Sequence, residues 1–245
     1  MGLKIDLHIH TCYSNDSSIT LKQIVSYAKK RGLDGIAITD HNTIEGALKL
    51  KTKEILIVPG IEISTLEGHV LGINITVQIP PMRGMEETIE RIHEAGGIAI
   101  APHPTAFYKS PPSRKVKSYD AIEVMNASSV PFSILTYFNK KFAYELRLPQ
   151  TGGSDSHYAP EIGSAYTVVN ADREIDEIIQ AIKSGNVFPF GKQIPWKYRI
   201  ERTVSSNHSN FLYLLNQEQE FLGFQVGLEI TRKSFLEVQF LEFYP

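Results

Sequence analysis

The sequence predicts an α/β protein built on a largely parallel sheet with helices packed outside it. Two patterns point there. Short apolar segments of period two alternate along the chain with segments of helical period, and residues able to do chemistry cluster where the period-two segments end. A third observation bounds the size: 245 residues that are 42% hydrophobic can bury one large core, with or without an appendage.

The elements follow in order. LKIDLHI places Ile5, Leu7 and Ile9 on one side of a strand and Lys4, Asp6, His8 and His10 on the other. TLKQIVSYAKKRG carries an apolar stripe of Leu21, Ile24, Val25 and Ala28, a capping box of Thr20 and Gln23, and a stop at Gly32. DGIAITDH is a strand, with a helix near residues 43–51 after it. EILIVPGIE is a strand, and HVLGINITV is another extended piece placed as a side hairpin. MEETIERIHEAGG is a helix closed by glycine, GIAIAPHP and YDAIEVMN are strands, and FSILTYFNKKFAYEL is a helix. LPQTGGSDSH and SAYTVV contain short strands, and EIDEIIQAIKSGN is a helix with Ile175, Ile178, Ile179 and Ile182 on one face and Gly185 as its stop. About seven strand–helix units fit before residue 191, and the pattern alone admits either an open doubly wound sheet or a closed barrel.

Residues 1–195 are expected to form this domain, and residues 196–245 an appendage of poor periodicity. Its aromatic residues Phe211, Tyr213, Phe221, Phe224, Phe235, Phe240, Phe243 and Tyr244 are too many to leave in water, so it is expected to cover the domain or build a homo-oligomer interface.

Composition narrows the function. A net charge of -2 gives no global basic field for nucleic acid, although a local basic patch stays open. A single cysteine, Cys12, forms no internal disulfide and fits a reducing cytoplasm. No apolar run reaches the roughly 20 residues of a membrane span. Lys4, Asp6 and His8 interrupt any signal-peptide pattern, so a cytoplasmic location with no membrane partner is expected.

The histidines are placed with a regularity that a scatter of surface residues would not show. His8 and His10 end the first strand, His41 the second and His103 a later one; Glu62 follows the third, His69 begins the next, and Asp155 and His157 follow TGG. In a parallel α/β fold the C-terminal strand ends meet at one rim, so residues distant in sequence converge. With Asp16, that makes six histidines and three carboxylates, which buried together require partners that divalent metals supply. Imidazole mixed with carboxylate suits Zn, Mn or Fe. Nine ligands exceed one site, and two or three ions with only three carboxylates leave net positive charge for an anionic substrate. Lys109, Arg114 and Lys192 stand as further phosphate contacts, weighed against ordinary solvated surface. Asp6 either orients His8 or anchors a buried network, Cys12 packs in its loop, and His93 and His208 are ordinary structural or solvated residues.

In order along the chain, DLHIHTCYSND, TDH, PGIEIS, HVLG, APHP, IEVMNASS and GGSDSH resemble the PHP (polymerase and histidinol phosphatase) family over roughly residues 3–191. The resemblance implies a distorted seven-stranded (βα)7 TIM-like barrel with a trinuclear centre. His8, His10, Glu62 and Asp155 would hold the first metal, Glu62 would bridge to a second completed by His69 and His103, and Asp16, His41 and His157 would hold the third. It further implies a phosphoesterase acting on a small phosphomonoester such as histidinol phosphate or a nucleotide, through a metal-activated hydroxide held by His8, His10, Glu62 and Asp155. Exonuclease or nucleoside 3′,5′-bisphosphate phosphatase activity on the same centre is the nearest alternative, so a nucleotide or oligonucleotide is an expected partner. An amidohydrolase-like enzyme is a further alternative, but no strand-end lysine is placed to bridge metals. A non-catalytic barrel subunit is another, but every ligand position is filled.

Overall fold

Among the described residues, a mixed sheet of nine strands, curled nearly into a barrel, positions the polar strand ends. The computed structural model describes residues 2–114 and 116–204, so His208 and the aromatic residues from Phe211 to Tyr244 lie outside the described residues. In chain order the elements are β1 (Leu3–Ile9), α1 (Leu21–Lys30), β2 (Gly35–Ile38), α2 (Glu45–Lys49), β3 (Leu56–Thr65), β4 (Gly68–Ile73), α3 (Met85–Glu94), β5 (Ile98–Ala101), β6 (Ala121–Asn126), α4 (Phe132–Leu146), β7 (Gln150–Gly153), β8 (Ala165–Val169), α5 (Ile175–Ser184) and β9 (Val187–Gly191). Residues 196–204 are helical, and the chain up to Arg202 forms one compact unit. Local chemistry sets the helix ends. Thr20 Oγ1 accepts the Gln23 N–H at 3.3 Å while Gln23 Oε1 accepts the Thr20 N–H at 2.9 Å, and Gly185 closes α5 at φ 76°.

The strand order is β7-β6-β5-β4-β3-β2-β1-β8-β9. The expected seven parallel strand–helix units are therefore corrected to nine strands of mixed direction. Only Leu66 and Glu67 separate β3 from β4, far too few for a parallel crossover, so β4 runs antiparallel to both β3 and β5. β8 runs antiparallel to β1 and to β9. Pro189 hides β9 in the sequence, and it is tolerated because β9 is an edge strand.

The sheet nearly closes on β1, whose outer edge serves two partners. Leu3–Ile5 pair with β8. Further along, the segment after β7 takes over: Asp155 N–H donates to His8 O at 2.8 Å, and His10 N–H donates to Ser156 O at 3.0 Å. Two apolar clusters flank the sheet. One packs β-strand residues such as Ile36, Ile61 and Ile122 against Ile24 of α1, Ile89 and Ile92 of α3 and Phe142 of α4. The other gathers Ile5, Leu7, Val58, Leu71 and Ile100 with Ile178, Ile179 and Ile182 of α5. Among the described residues, no helix is long and apolar enough to cross a membrane.

Candidate metal centre

Strand β1 does not keep the simple alternation its sequence suggests. Its pairing with β2 slips between Asp6 and Ile9, which marks a bulge, and Ile5 and Leu7 join one apolar cluster while Ile9 joins the other. The bulge separates Asp6 from the face of His8 and His10. Asp6 accepts N–H groups from Ser154 at 2.8 Å, Gly163 at 2.9 Å and His8 at 3.3 Å. It is the anchor of a buried network that ties β1 to the chain after β7.

The ring nitrogens of His8 and His10 converge with two carboxylates. Their Nε2 atoms are 3.1 Å apart; His8 Nε2 lies 3.3 Å from Glu62 and 3.6 Å from Asp155, and His10 Nε2 lies 3.2 Å and 3.4 Å from the same two groups. The other oxygen of Glu62 is 3.0 Å from His69 Nδ1 and 3.3 Å from His103 Nε2. Asp16 is 3.2 Å from His157 Nε2 and 3.5 Å from His41 Nε2, and His41 Nδ1 returns to Glu62 at 3.3 Å. All nine side chains singled out from the sequence are thus brought into one continuous cluster. Eight are buried or partly buried; Asp16, at 55% side-chain exposure, forms its open edge. Two of the nine hold left-handed backbone, His103 at φ 34° and Asp155 at φ 52°, a conformation that non-glycine residues adopt only when their surroundings enforce it.

Several residues not singled out from the sequence hold this cluster in place. Glu123 of β6 pairs with His8 Nδ1 at 3.0 Å and accepts the His103 N–H at 2.9 Å. Asn126 donates to Glu123 at 2.9 Å and to Asp155 at 3.1 Å. Asp40 accepts from Thr11 N–H at 2.6 Å, Thr11 Oγ1 at 2.7 Å and Ser14 Oγ at 2.8 Å, and Ser14 Oγ in turn accepts the His41 N–H at 2.9 Å. Glu161, fully buried, accepts the N–H groups of His157 at 3.0 Å and Tyr158 at 3.2 Å, and Arg202 balances it at 3.3 Å. Such partners fix ring orientation and ligand basicity around metals.

The electrostatics show what the cluster accommodates. With Nδ1 of His8 turned to Glu123, its Nε2 faces His10 Nε2, Glu62 and Asp155. So many acceptor atoms around one point favour a proton or a metal ion between them. Burial opposes a charged His8, yet Asp155, Glu123 and Glu62 outweigh it and raise its pKa well above the ordinary value. Burial likewise opposes a charged Glu62, but His8 and the imidazole hydrogen bonds hold it well below the carboxylate range. Asp155 is held low against its burial by Lys109 and His8, and Asp16 is held low against its burial by His157 and His41. A tetrahedral ion with ligands at about 2.1 Å sets its ligand atoms about 3.4 Å apart. His8, His10 and Asp155 set their ligand atoms 3.1 to 3.6 Å from one another, so these three fit a divalent ion, and Glu62 lies 3.2 to 3.3 Å from both histidines. His103 Nδ1 is buried without a hydrogen-bond partner among the described residues.

The three expected phosphate contacts part company. Lys109 Nζ reaches Asp155 at 2.5 Å and stands at the cluster. Arg114 pairs with Glu145 at 3.9 Å and lies 4.9 Å over the Phe142 ring, both of them residues of α4. Lys192 is exposed just past β9 and uses its N–H on Ser164 O at 2.9 Å. His93 pairs with Asp120 at 2.7 Å apart from the cluster, and Cys12 is exposed.

Comparison with known proteins agrees with this geometry. The family model described as PHP-associated matches residues 139–187, which include Asp155 and His157. The protein MJ1587 of Methanocaldococcus jannaschii is 45% identical over 116 residues, 42% of this chain and 68% of that protein. The 5′-3′ exoribonuclease Rnm of Salmonella typhimurium is 35% identical over 107 residues, 39% of this chain but only 36% of that enzyme. A solved two-domain protein from Bacteroides vulgatus, described as containing a predicted PHP-like metal-dependent phosphoesterase, shares the fold at TM-score 0.66 and 19% identity, over 78% of this chain and 65% of that one. With its motifs in order, its strand ends converged and these relatives beside it, the chain belongs to the PHP family.

Proposed function

We propose that this chain is a metal-dependent phosphoesterase that hydrolyses a small phosphomonoester at a centre for three divalent ions. The observation that carries this reading is Glu62, a single buried carboxylate whose two oxygens face different groups of imidazoles: Oε1 faces His69 and His103, and Oε2 faces His8, His10 and His41. A carboxylate so placed suits a bridge between ions. In this reading His8, His10, Glu62 and Asp155 hold one ion, Glu62, His69 and His103 a second, and Asp16, His41 and His157 a third. The donor types suit Zn, Mn or Fe.

Bound ions would supply Lewis acidity toward phosphoryl oxygens and lower the pKa of water toward about 7. The chain's own residues prepare the place where that chemistry occurs. Glu123 and Asn126 fix His8 and Asp155, so the donors need not reorganise during reaction. Lys109, held at Asp155 by a 2.5 Å ion pair, is positioned to turn its ammonium to a phosphoryl oxygen as negative charge gathers there.

The test is a phosphate-release screen over phosphorylated metabolites and nucleotides after chelation and after reloading with Mn, Zn or Fe. Chelated protein should be inactive and reloaded protein active. Full turnover by the chelated protein, or no turnover of any ester with any of these metals, rejects the reading. Cleavage of a phosphodiester end is the second reading, favoured by the 35% identity to an exoribonuclease. Release of mononucleotides from short oligonucleotides, in place of inorganic phosphate from monoesters, would select it.

A further inference from the structure

The turn that carries Asp155 and His157 is held from outside the cluster, by a helix that carries none of the nine ligands. Residues 196–204 form this helix after β9, and the chain up to Arg202 belongs to the same compact unit as the sheet. Arg199 and Arg202 are three residues apart, so they share one helix face. Both are partly buried, whereas Trp196, Ile200 and Val204 are exposed. Arg199 ties the helix to the loop after β6, donating to Ala127 O at 3.2 Å and to Ser128 O at 3.0 Å. Arg202 reaches a different place: its Nη1 donates to Glu161 Oε2 at 3.3 Å.

Glu161 is fully buried, and its Oε1 is without a hydrogen-bond partner among the described residues. Oε2 also accepts the His157 N–H at 3.0 Å and the Tyr158 N–H at 3.2 Å, so two amides and a guanidinium meet at one oxygen. A buried carboxylate keeps such a position only while a cation offsets its desolvation. With Arg202 shortened, Glu161 turns toward water and the His157 N–H loses its acceptor. On its other side His157 is tied to the loop that carries Asp16: His157 O accepts the Ser18 N–H at 3.1 Å and Ser17 Oγ at 3.3 Å. His157 Nε2 in turn lies 3.2 Å from Asp16. The backbone position of His157 therefore governs both ligands at the open edge of the cluster. The inner ligands have separate supports, since Glu123 holds His8 and Asn126 holds Asp155.

We propose that Arg202 is a positioning residue that, through Glu161, sets His157 and the Asp16 loop for the outermost of the three ions. The proposal rests on the three-ion reading and gives one of those ions a support on the helix after β9.

The test titrates Mn or Zn into the chelated full chain by calorimetry and compares Arg202→Gln, Arg202→Lys and Arg199→Gln. Arg202→Gln should weaken one binding step about 10–100-fold and leave the other steps as they are. That step should be the one Asp16→Ala removes, so in the Asp16→Ala background Arg202→Gln should cost nothing more. Arg202→Lys keeps the cation and should recover most of the loss. Arg199→Gln loosens the same helix and should leave the isotherm unaltered. An unchanged isotherm in Arg202→Gln overturns the proposal. So does equal weakening of every step, or the same loss in Arg199→Gln, which would make helix docking and not the Glu161 pair responsible. A second readout needs no metal. In chelated protein with isotopically labelled histidine, the ring signals of His157 should move in Arg202→Gln while those of His69 stay in place. If the unaltered protein takes up no divalent ion, the phosphoesterase reading fails separately, and the His157 signals still decide the role of Arg202: unmoved signals overturn it.

Discussion

Asp6 is a buried carboxylate whose charge works against the fold over a defined pH range. Burial raises its pKa from 3.8 to about 6, although hydrogen bonds from Ser154, Gly163 and His8 pull the other way. The folded protein therefore holds this proton more tightly than the unfolded chain. The resulting stability is fully present below pH 3.8 and is lost as pH rises through about 6, roughly 3 kcal/mol across the window. Asp6→Asn keeps the size and one acceptor oxygen but removes the titration, adding a constant penalty where its amide meets the Gly163 N–H. In chelated protein, the Tm of this variant relative to the unaltered chain should climb between pH 3.8 and about 6 and then level off. A Tm difference that stays flat over that range would show the carboxylate ionised throughout. The same residue marks a limit of legibility. Eight of the nine clustered side chains were readable because each stands in or beside the end of an apolar run, where polar groups have no packing reason to be; Asp16 lies in the polar loop after β1. Asp6 sits in such a run too, and only the bulge, invisible in LKIDLHI, decides that it faces Ser154 rather than the cluster. Glu123 escaped notice because it lies inside AIEVMN with no second ligand-type residue two positions away, and a lone charge in a strand commonly pairs with solvent. Lys109 and Arg114 share one aperiodic loop, so nothing in sequence could separate the residue at Asp155 from the one at Glu145.

At the level of elements, irregular pairing builds the site. β1 slips against β2 between Asp6 and Ile9, and β6 slips against β7 between Glu123 and Met125. These bulges lie beside His8 and Glu123, which bond each other at 3.0 Å. β7 approaches β1 closely there because Gly153 has no side chain. A Cβ on Gly153 would fall 2.5 Å from His8 Cβ, 3.0 Å from His8 N and 2.8 Å from Glu123 Oε1, and two of those neighbours are fixed by the backbone of β1. Gly153→Ala should therefore cost about 1–3 kcal/mol of stability by overpacking. It should also weaken metal binding about 10–100-fold by displacing His8 from Glu123. Metal titration followed by calorimetry checks this, and an unchanged Kd would mean that the strands separate without disturbing the ligands. Elements were legible where composition and period agreed, as in FSILTYFNKKFAYEL, which is α4 from end to end. Strand direction was less so, because HVLGI alternates identically in either direction. The two-residue link between Thr65 and Gly68 was the available sign that β4 must run back. β9 was hidden by Pro189, which reads as a breaker unless the strand is known to lie at an edge.

Across the whole molecule, the cluster joins parts of the fold that lie far apart in sequence: β1 and its loop, β2, β3, β4, and the turns after β5 and β7. Without a cation it gathers buried carboxylates and imidazole lone pairs that only protons can reconcile, so filling the centre should stabilise the entire barrel. Binding to the folded chain alone contributes RT ln(1 + [L]/Kd), about 4 kcal/mol at a thousandfold excess over Kd for one ion. For a domain of this size each kcal/mol shifts Tm by about 2–4 °C, so Mn or Zn should raise the Tm of chelated protein by about 10 °C or more. The division into groups predicts how variants divide that gain. Glu62 faces two imidazole groups through separate oxygens, so Glu62→Ala should abolish nearly all of it. Asp16, at the open edge, touches only His41 and His157 within the cluster, so Asp16→Ala should remove a fraction and leave the rest. Scanning calorimetry with and without metal measures both. Equal losses in the two variants would mean that the ions bind as one indivisible unit, and a full metal shift in Glu62→Ala would remove that carboxylate from the centre.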